Sequence, residues 1–472
     1  MAMRPAFVRR VPERIFAIDT RSLALFRIGL GLLVVLDAAG RLPDLTALYS
    51  DAGAVPRALV RELSGDELPL SLYMAHGSVG FAGALLLLHV AAGVCLLAGY
   101  RTLLATGAAW VLTLSLQYRN PLVVGWGDMI LRVLLLWSLF LPLAERASLD
   151  RRRGAPRQAA RSFLSLGSAG FVLQLGSIYF FTALLKTGPE WRDGSAIAIA
   201  LQNEHFAKLP QATVALGHPL LLFALTHTVR YFEAIGPLLL LVPVGIGPLR
   251  TALVLAYWAF HLGLFALLEL GLFPFVCIAA WSALLPAAFW DRLGVSAGEG
   301  PEIRRRLQWP GLACIGLVLA SNLSTLSPGG SVSALLRTPL RVSGLYQRWG
   351  MFAPSPSHDD GWLMVVGRRA DGGEEDLLRG GAVQLSKPAE ISMHYPSARW
   401  RTYLRGLWRR RPAVREAYAD WRCRSENAAR SDSMRLESLT IYFAKQVIAP
   451  SGESVRTDRE QLVQSVCARP TP

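Results

Sequence analysis

The first two thirds of the chain consist of long apolar stretches separated by short polar connections. Nine such stretches predict helices, and apolar runs of about 17 to 25 residues are long enough to cross a bilayer core. They cover residues 23–39, 72–98, 103–116, 128–143, 163–185, 219–244, 252–267, 270–289 and 311–323. The pattern therefore predicts a mainly α-helical, polytopic membrane bundle of about nine spans.

Beyond Ser327 the pattern changes from helical to mixed. The segment "WLMVVGRRADGGEEDLLRGG" combines short apolar runs with glycine-containing turns, which is typical of a β-hairpin. Residues 397–427 predict one or two amphipathic helices, and "MRLESLTIYFAKQVIAP" predicts a strand. We therefore expect a transmembrane domain over residues 1–326 and a small α+β domain over residues 327–472.

The distribution of charge predicts which side of the membrane each part occupies. The formal net charge is +15, and basic residues gather in alternate connections, as in loops that remain in the cytoplasm. They are Arg101, the six arginines between Arg146 and Arg161, Arg250, and Arg304 to Arg306. We expect a multi-pass protein of the plasma (inner) membrane with a cytoplasmic N-terminus and an extracytoplasmic C-terminal domain. Membrane lipid, and not nucleic acid, is the expected partner of this charge.

Lysine is scarce, which draws attention to "YFFTALLKTGPEW" at residues 179–191. Only four of the 49 basic residues are lysines, and Lys186 is the one that ends a long apolar run. Its amine has two interpretations: it reaches the membrane interface as an anchor, or it acts as a base near neutral pH. Arginine cannot act as such a base because it stays protonated. The sequence alone leaves these two interpretations balanced.

Other ionisable residues inside the predicted spans are costly to bury and mark structural pairs or functional sites. Asp128 and Arg132 lie four residues apart, and Arg230 and Glu233 lie three apart, so each pair shares a helix face. One interpretation is that both are structural ion pairs, with Asp128 capping its helix. The other is a polar cavity that opens toward the outer side of the membrane, where Asp128 falls.

Lys186 and Glu269 also fall near outer helix ends and extend that candidate cavity. His261 is interpreted as a satisfied histidine between helices, because no His, Cys or carboxylate cluster has metal-ligand spacing. The chain contains no nucleophile elbow and no phosphate-binding glycine loop. Cys423 and Cys467 lie in the predicted outer domain, where a disulfide is possible, and the sequence leaves that pairing open.

Four segments resemble, in order, the HTTM (horizontally transferred transmembrane) domain, which is shared with vitamin K-dependent gamma-carboxylase. The segments are "TRSLALFRIGLGLLVVLDAAGRLPDLTALYSDAGAVPR", "YRNPLVVGWGDMILRVLLLWSLFLPLAERASLD", "IYFFTALLKTGPEWRDGSA" and "FHLGLFALLELGLFPF". The likeness spans residues 17 to 290, and "YQRWGMFAPSP" is similar to the C-terminal extension of bacterial members. The resemblance implies a membrane helix bundle of this family.

The resemblance also implies a catalytic amine and a quinone. In the carboxylase, a lysine five residues before a tryptophan deprotonates vitamin K hydroquinone, and Lys186 stands five before Trp191. The implied cofactor is a quinone or hydroquinone without a metal, and the implied substrate is a peptide or protein on the extracytoplasmic side. The implied catalytic positions are Lys186, Asp128 and His261, and the candidate binding positions are Arg132, Trp191, Arg230, Glu233 and Glu269.

Several positions depart from the carboxylase pattern. Asp128 stands where the carboxylase has a catalytic histidine, and Leu264 and Ala266 replace polar residues after His261. A carboxylate there would repel an anionic substrate, and a Lys186–Asp128 ion pair would weaken the amine as a base. We therefore expect a quinone-linked membrane enzyme that modifies a peptide or small molecule at the outer face, but not true glutamate carboxylation. The alternative hypothesis is a non-enzymatic assembly or maturation factor whose outer domain binds a partner protein.

Overall fold

A computed structural model describes a helical bundle followed by an antiparallel sheet. The described residues are 11–65, 70–154, 158–208, 218–297, 303–305, 309–327, 332–384, 386–388, 391, 395–448 and 454–467. Both the helical first part and the C-terminal sheet region agree with the predicted fold class.

The helices of the bundle follow the apolar segments of the sequence. In chain order they are α1 Thr20–Ala39, α2 Leu45–Tyr49, α3 Arg57–Ser64, α4 Val79–Ala98, α5 Thr102–Arg119, α6 Trp126–Ser138, α7 Leu149–Arg153, α8 Leu166–Leu185, α9 Glu190–Asp193, α10 Ala196–Gln202, α11 Pro219–Leu239, α12 Ile246–Leu267, α13 Phe273–Ser282, α14 Ala287–Arg292, α15 Trp309–Ser324 and α16 Ala334–Val342. Short 3-10 turns occur at Leu72–Met74 and Pro121–Val123. Each of the nine predicted segments contains a helix.

Among the described residues, four helices are long and apolar enough to cross a membrane: α1, α4, α8 and α12. By contrast, α6 has 13 residues and α13 has 10, fewer than the roughly 20 that a bilayer core requires. The 21-residue α11 is long enough but carries Arg230 and Glu233, which lower its mean hydropathy. The described residues thus support a membrane protein with several spans, and the predicted count of nine is not established.

Small residues let α1 and α4 approach each other closely. A Cβ atom added to Gly31 of α1 would lie 2.4 Å from the backbone nitrogen of Leu97 in α4. On the other side of the contact, a Cβ on Gly93 would lie 2.9 Å from the side chains of Val34 and Val35. Helices in membranes associate largely through such close packing, because lipid gives no hydrophobic drive between them.

The C-terminal region is a sheet with two helices. Its strands are β4 Asp359–Arg369, β5 Glu374–Asp376, β6 Leu436–Ile448 and β7 Ser454–Val466, and its helices are α17 Ala398–Gly406 and α18 Pro412–Asn427. The strand order is β5-β4-β6-β7, and all pairs are antiparallel. The β4–β5 pair is the hairpin predicted from the sequence, and β6 is the predicted strand. We call the end of the bundle next to this sheet the sheet end.

The continuous apolar run of β4 has a structural reason. Its residues from Asp360 to Gly367 are all buried, so the strand is covered on both faces, as near-continuous apolar strands usually are. Beside the sheet, a disulfide joins Cys423 of α18 to Cys467, just after β7. This pairing was open at the level of the sequence.

A second, smaller sheet lies at the opposite end of the bundle, which we call the far end. It consists of Ile18–Asp19 (β1), Ser162–Ser165 (β2) and Ile303–Arg305 (β3) in the order β1-β2-β3. Asp19 then caps α1 by accepting a hydrogen bond from the backbone of Arg21 at 2.8 Å. The far end therefore holds the start of α1 against the connections that the sequence predicts to be cytoplasmic.

The bundle and the C-terminal sheet share one apolar core at the sheet end. Tyr49 of α2 and Val60 of α3 belong to the same buried cluster as Leu363 of β4 and Tyr403 of α17. The predicted domain boundary between residues 326 and 327 falls between α15 and α16 and stays a prediction. The shared core means that the two parts fold against each other.

We expect Gly31→Ala to lower the free energy of unfolding by about 1–3 kcal/mol, because the added methyl group meets backbone that cannot move cheaply. Gly263→Ala in α12 is the matched control, since nothing lies within 4 Å of its added Cβ. Thermal unfolding of both variants in one detergent measures the difference. Equal midpoints for the two variants would contradict the close packing of α1 on α4.

Candidate functional site

Lys186 lies at the end of α8, where its side chain is enclosed by two other segments. The Gly188–Pro189 break prevents α8 from continuing. The Lys186 side chain is only 2% exposed, and its ammonium contacts the carboxylate of Glu233 in α11. The same nitrogen lies 4.3 Å from the centroid of the Trp191 ring in α9. The apolar run therefore ends in a buried cation that is paired within the protein.

Three hydrogen bonds fix Trp191 and the turn that precedes it. Its indole N–H donates to the carbonyl of Phe352 at 2.9 Å, and its own carbonyl accepts from Arg230 at 3.3 Å. One turn earlier, the Gly188 N–H donates to the carbonyl of Pro354 at 2.9 Å. Phe352 has φ of 55°, a left-handed conformation that non-glycine residues rarely adopt. The segment before β4 thus fixes the ring against which Lys186 rests.

The Lys186–Glu233 contact is a buried ion pair, and its energetics depend on both partners. An isolated charge in such an environment is very costly, and removing one partner of a buried pair destabilises a protein by about 3–5 kcal/mol. The Trp191 face adds a cation–π attraction of about 2 kcal/mol when the cation is desolvated. An ammonium has three N–H donors, and Glu233 and the Trp191 face account for two of them. Among the described residues the third has no hydrogen-bond partner.

A cluster of aromatic side chains with one histidine lies two helical turns before Lys186. The Tyr179 oxygen is 2.7 Å from His261 Nε2 and accepts the Trp281 indole N–H at 2.9 Å. Which of the two groups donates in the Tyr179–His261 hydrogen bond depends on the imidazole tautomer. The His261 Nδ1 has no partner within the described part of the chain. Tyr257 stacks on Trp281 with ring centroids 3.8 Å apart.

Asp128 belongs to a different ion cluster at the sheet end. It accepts a hydrogen bond from Arg41 at 2.6 Å, and Arg41 also binds Asp37 and the hydroxyl of Tyr49. Arg399 of α17 contacts the same Asp37. Asp128 also accepts the backbone N–H of Gly125 at 2.7 Å, which closes the first turn of α6. Its role in the structure is to cap that helix and to join α1 to α6.

Several predicted pairings are therefore wrong. Asp128 pairs with Arg41, and neither with Arg132 nor with Lys186. Arg132 donates instead to the side chain of Gln117 at 2.9 Å and to the carbonyl of Tyr346 at 2.8 Å. The physical reason is that residues from other segments lie within hydrogen-bond distance of Asp128 and Arg132, and these contacts replace the pair along the helix face.

The second helix-face pair was also reassigned by tertiary contacts. Glu233 pairs with Lys186, while Arg230 turns to the Trp191 carbonyl. Glu269 lies 3.7 Å from Lys208, and its backbone carbonyl accepts from Arg401 at 2.6 Å. Three candidate binding residues, Trp191, Arg230 and Glu233, thus surround Lys186. Asp128, Arg132, His261 and Glu269 make other contacts.

A group of hydrogen bonds at His358, which we call the clamp, ties the connection after Lys186 to the sheet. Glu190 accepts a hydrogen bond from the Ser355 hydroxyl and lies 2.8 Å from His358 Nε2. His358 Nδ1 lies 2.9 Å from the carbonyl of Ile448 at the end of β6. Both partners are acceptors, so the geometry suits a doubly protonated imidazole. Partial burial disfavours this charge, but the bonds to Ile448 and Glu190 outweigh it and raise the pKa of His358 above its ordinary value.

Sequence reasoning missed four residues around the candidate site residues. Two of them could have been found from helical spacing, and two could not. Tyr179 lies seven residues before Lys186, on the same helix face, and Arg41 lies four after Asp37, so a search by helical spacing finds both. Arg399 and Phe352 carry no such signal, because only the docking of the C-terminal region brings them to the bundle.

The geometry defines a class of protein: a multi-span helical membrane protein with buried charge pairs and a sheet docked on one end. The HTTM domain family model matches residues 16–290, and the chain belongs to this family. No curated protein and no solved structure gives a significant match to the chain. In the described ranges no group of three or more His, Cys, Asp or Glu side chains could hold a metal ion.

We expect the clamp at His358 to make stability depend on pH. Because the folded pKa is raised, its contribution is fully present below the unfolded value of about 6.5 and is lost as pH rises through the folded value. Wild-type thermal stability should therefore fall more steeply from pH 6 to 8.5 than that of His358→Gln. His76→Gln is the control, since His76 is exposed and hydrogen-bonds its neighbour Ser78. Parallel pH profiles for wild type and His358→Gln would contradict the clamp.

Proposed function

We propose that this protein is a membrane enzyme in which Lys186 acts as the base toward a lipid-soluble hydroquinone. The single observation that carries this proposal is the enclosure of a rare lysine between Glu233 and the face of Trp191. The resemblance of Lys186 and Trp191 to the base and tryptophan of the carboxylase supports the same assignment. The site lies at the sheet end, which the charge distribution predicts to be extracytoplasmic.

The residues around Lys186 suit a hydroquinone by their chemistry. The third N–H direction of the ammonium is unpaired among the described residues, so it can meet a hydroxyl oxygen. The Trp191 ring and the nearby Tyr179, Tyr257 and Trp281 rings form the kind of aromatic surroundings that a flat apolar ring prefers. When bound, a hydroquinone would supply an acidic hydroxyl and two reducing equivalents.

The proton transfer follows from the ion pair. Lys186 first passes a proton to Glu233, so that the buried pair becomes a neutral amine and a neutral carboxylic acid. Rotation about the Cε–Nζ bond turns the amine lone pair from Glu233 to the hydroxyl group, and the amine then takes the hydroxyl proton and becomes an ammonium again. Trp191 orients the amine, Arg230 fixes the Trp191 backbone, and exclusion of water keeps each charge state coupled to its partner. A peptide or small molecule at the outer face would be the group that is finally modified.

A non-enzymatic role is the second candidate, and the edge of the sheet favours it. β7 lies at the edge of the β5-β4-β6-β7 order, has 13 residues, and ends in Val466 with 81% exposure. Edge strands present unpaired backbone groups that can add a strand from another chain. In that role the protein would be an assembly or maturation factor, and Lys186–Glu233 would only hold α8 to α11.

We expect Lys186→Arg to keep the ion pair and the fold but to lower hydroquinone turnover at least about 100-fold, because a guanidinium cannot act as the base. Lys208→Arg is the matched control, since Lys208 is a half-buried lysine that pairs with Glu269 near the sheet end. Consumption of added hydroquinone by the purified protein measures the effect. An unchanged rate in Lys186→Arg would show that the amine is not the base.

A charge exchange separates the two candidate functions. The single variants Lys186→Glu and Glu233→Lys each bury like charges and should lose about 3–5 kcal/mol of stability. The double variant restores opposite charges, so its thermal midpoint should return toward wild type. For an enzyme, turnover and cellular function stay lost, because the amine has moved away from Trp191. Recovery of cellular function in the double variant would favour the assembly role.

A further inference from the structure

A cavity at the far end of the bundle has a lining unlike that of the Lys186 site. It has a volume of about 140 Å³ and lies between the residues before α1, the start of α12 and the Leu285–Pro286 turn. A water molecule needs roughly 10–15 Å³ of comparable space, so a phosphoryl group fits with several waters. Its polar lining residues are Arg14, Asp19, Ser162 and Arg250.

Arg250 is the residue that marks the cavity as a binding site. The side chain is 95% buried, and its Nη atoms donate to the backbone carbonyls of Ile15 and Ala17. Its Nε is buried without a hydrogen-bond partner within the described part of the chain. No carboxylate among the described residues lies within 4.0 Å of the guanidinium. A buried guanidinium whose Nε–H has no protein partner can donate to an anion held in the adjoining cavity.

The one acidic lining residue does not cancel this charge. Asp19 is bound by Arg21 through two side-chain hydrogen bonds of 3.0 and 2.8 Å, and it also accepts the Arg21 backbone N–H. Arg21 is not part of the cavity lining, and because it also pairs with Asp291 at 2.8 Å it offsets the Asp19 charge only in part. Arg14 adds a second positive charge at the rim, where it donates to the carbonyl of Pro243 at 3.3 Å. Two arginines and one carboxylate therefore line the cavity.

The surroundings of the cavity indicate where an anion comes from. Arg250 lies in the first turns of α12, a candidate membrane span of which only 28% is buried. Farther along this helix Leu255, Leu262 and Phe265 are 46%, 51% and 40% exposed. Acyl chains can cover such a surface, and basic pockets at helix ends are suited to acidic lipid headgroups.

We propose that the cavity lined by Arg250 and Arg14 binds the phosphate of an anionic phospholipid headgroup, whose acyl chains lie along α12. The Arg250 Nε–H and the Arg14 guanidinium would contact the phosphate oxygens, and the Ser162 hydroxyl would donate a further bond. The shared chemistry is an anionic phosphate, which inorganic phosphate also offers from solution. This site is separate from Lys186 and independent of the function proposed for it.

The test uses the full-length protein in nanodiscs of phosphatidylcholine alone or mixed with phosphatidylglycerol, with a third arm of phosphatidylcholine plus inorganic phosphate. Arg250→Gln removes the charge but keeps an amide donor for the backbone carbonyls. Ala287→Glu places a carboxylate in the same cavity and leaves Arg250 intact. Arg152→Gln is the matched control, because it removes one exposed arginine from a connection at the same end.

Phosphatidylglycerol should raise the thermal midpoint of wild type and Arg152→Gln. Arg250→Gln and Ala287→Glu should bind it at least about fivefold more weakly, as expected for the loss of one arginine at a membrane surface. Ala287→Glu should keep the wild-type midpoint in phosphatidylcholine but lose the response to phosphatidylglycerol. If Arg250 had only a structural role, this variant would keep that response, because its Arg250 is intact. A response to inorganic phosphate alone would support the site with a soluble source. An equal lipid response in wild type, Arg250→Gln and Ala287→Glu would overturn the proposal.

Discussion

The buried pair of Lys186 and Glu233 is the constraint on which the sheet end of the bundle depends. An ammonium and a carboxylate without water are tolerated only while each has the other, so α8 and α11 must stay in contact. Trp191 covers the ammonium, and the Phe352 carbonyl in turn holds Trp191. A single ion pair in this way links two helices of the bundle to the segment that leads into the sheet.

The same rule organises several other buried charges of the protein. Arg41 is shared between Asp37 and Asp128, and Arg399 reaches Asp37 from the C-terminal region. Arg21 compensates Asp19 at the far end. These clusters join elements distant in sequence, so their value is in fixing how the elements dock. Arg27, Arg132 and Arg250 depart from the rule, since their described partners are neutral groups, mostly backbone carbonyls. Arg250 differs from the other two because it lines the cavity at the far end.

Much of the fold could be predicted, and the reason is local. The helices α1, α4, α8 and α12 follow directly from apolar length, and the β4–β5 hairpin follows from its glycine turn. The family was recognisable from ordered motifs, and the match over residues 16–290 confirms it. The number of spans was less predictable, because α6 and α13 are apolar but short, and apolar character alone does not give helix length.

The sequence by itself determined that Lys186 ends an apolar helix five residues before Trp191, in a chain that otherwise uses arginine for positive charge. It also determined that Glu233 and Asp128 lie within apolar helices, where their charges need partners. Only the tertiary structure decided who those partners are: Glu233 for Lys186, and Arg41 for Asp128. Spacing along one helix shows which side chains share a face. Which face meets which neighbour is decided by how helices far apart in sequence pack together.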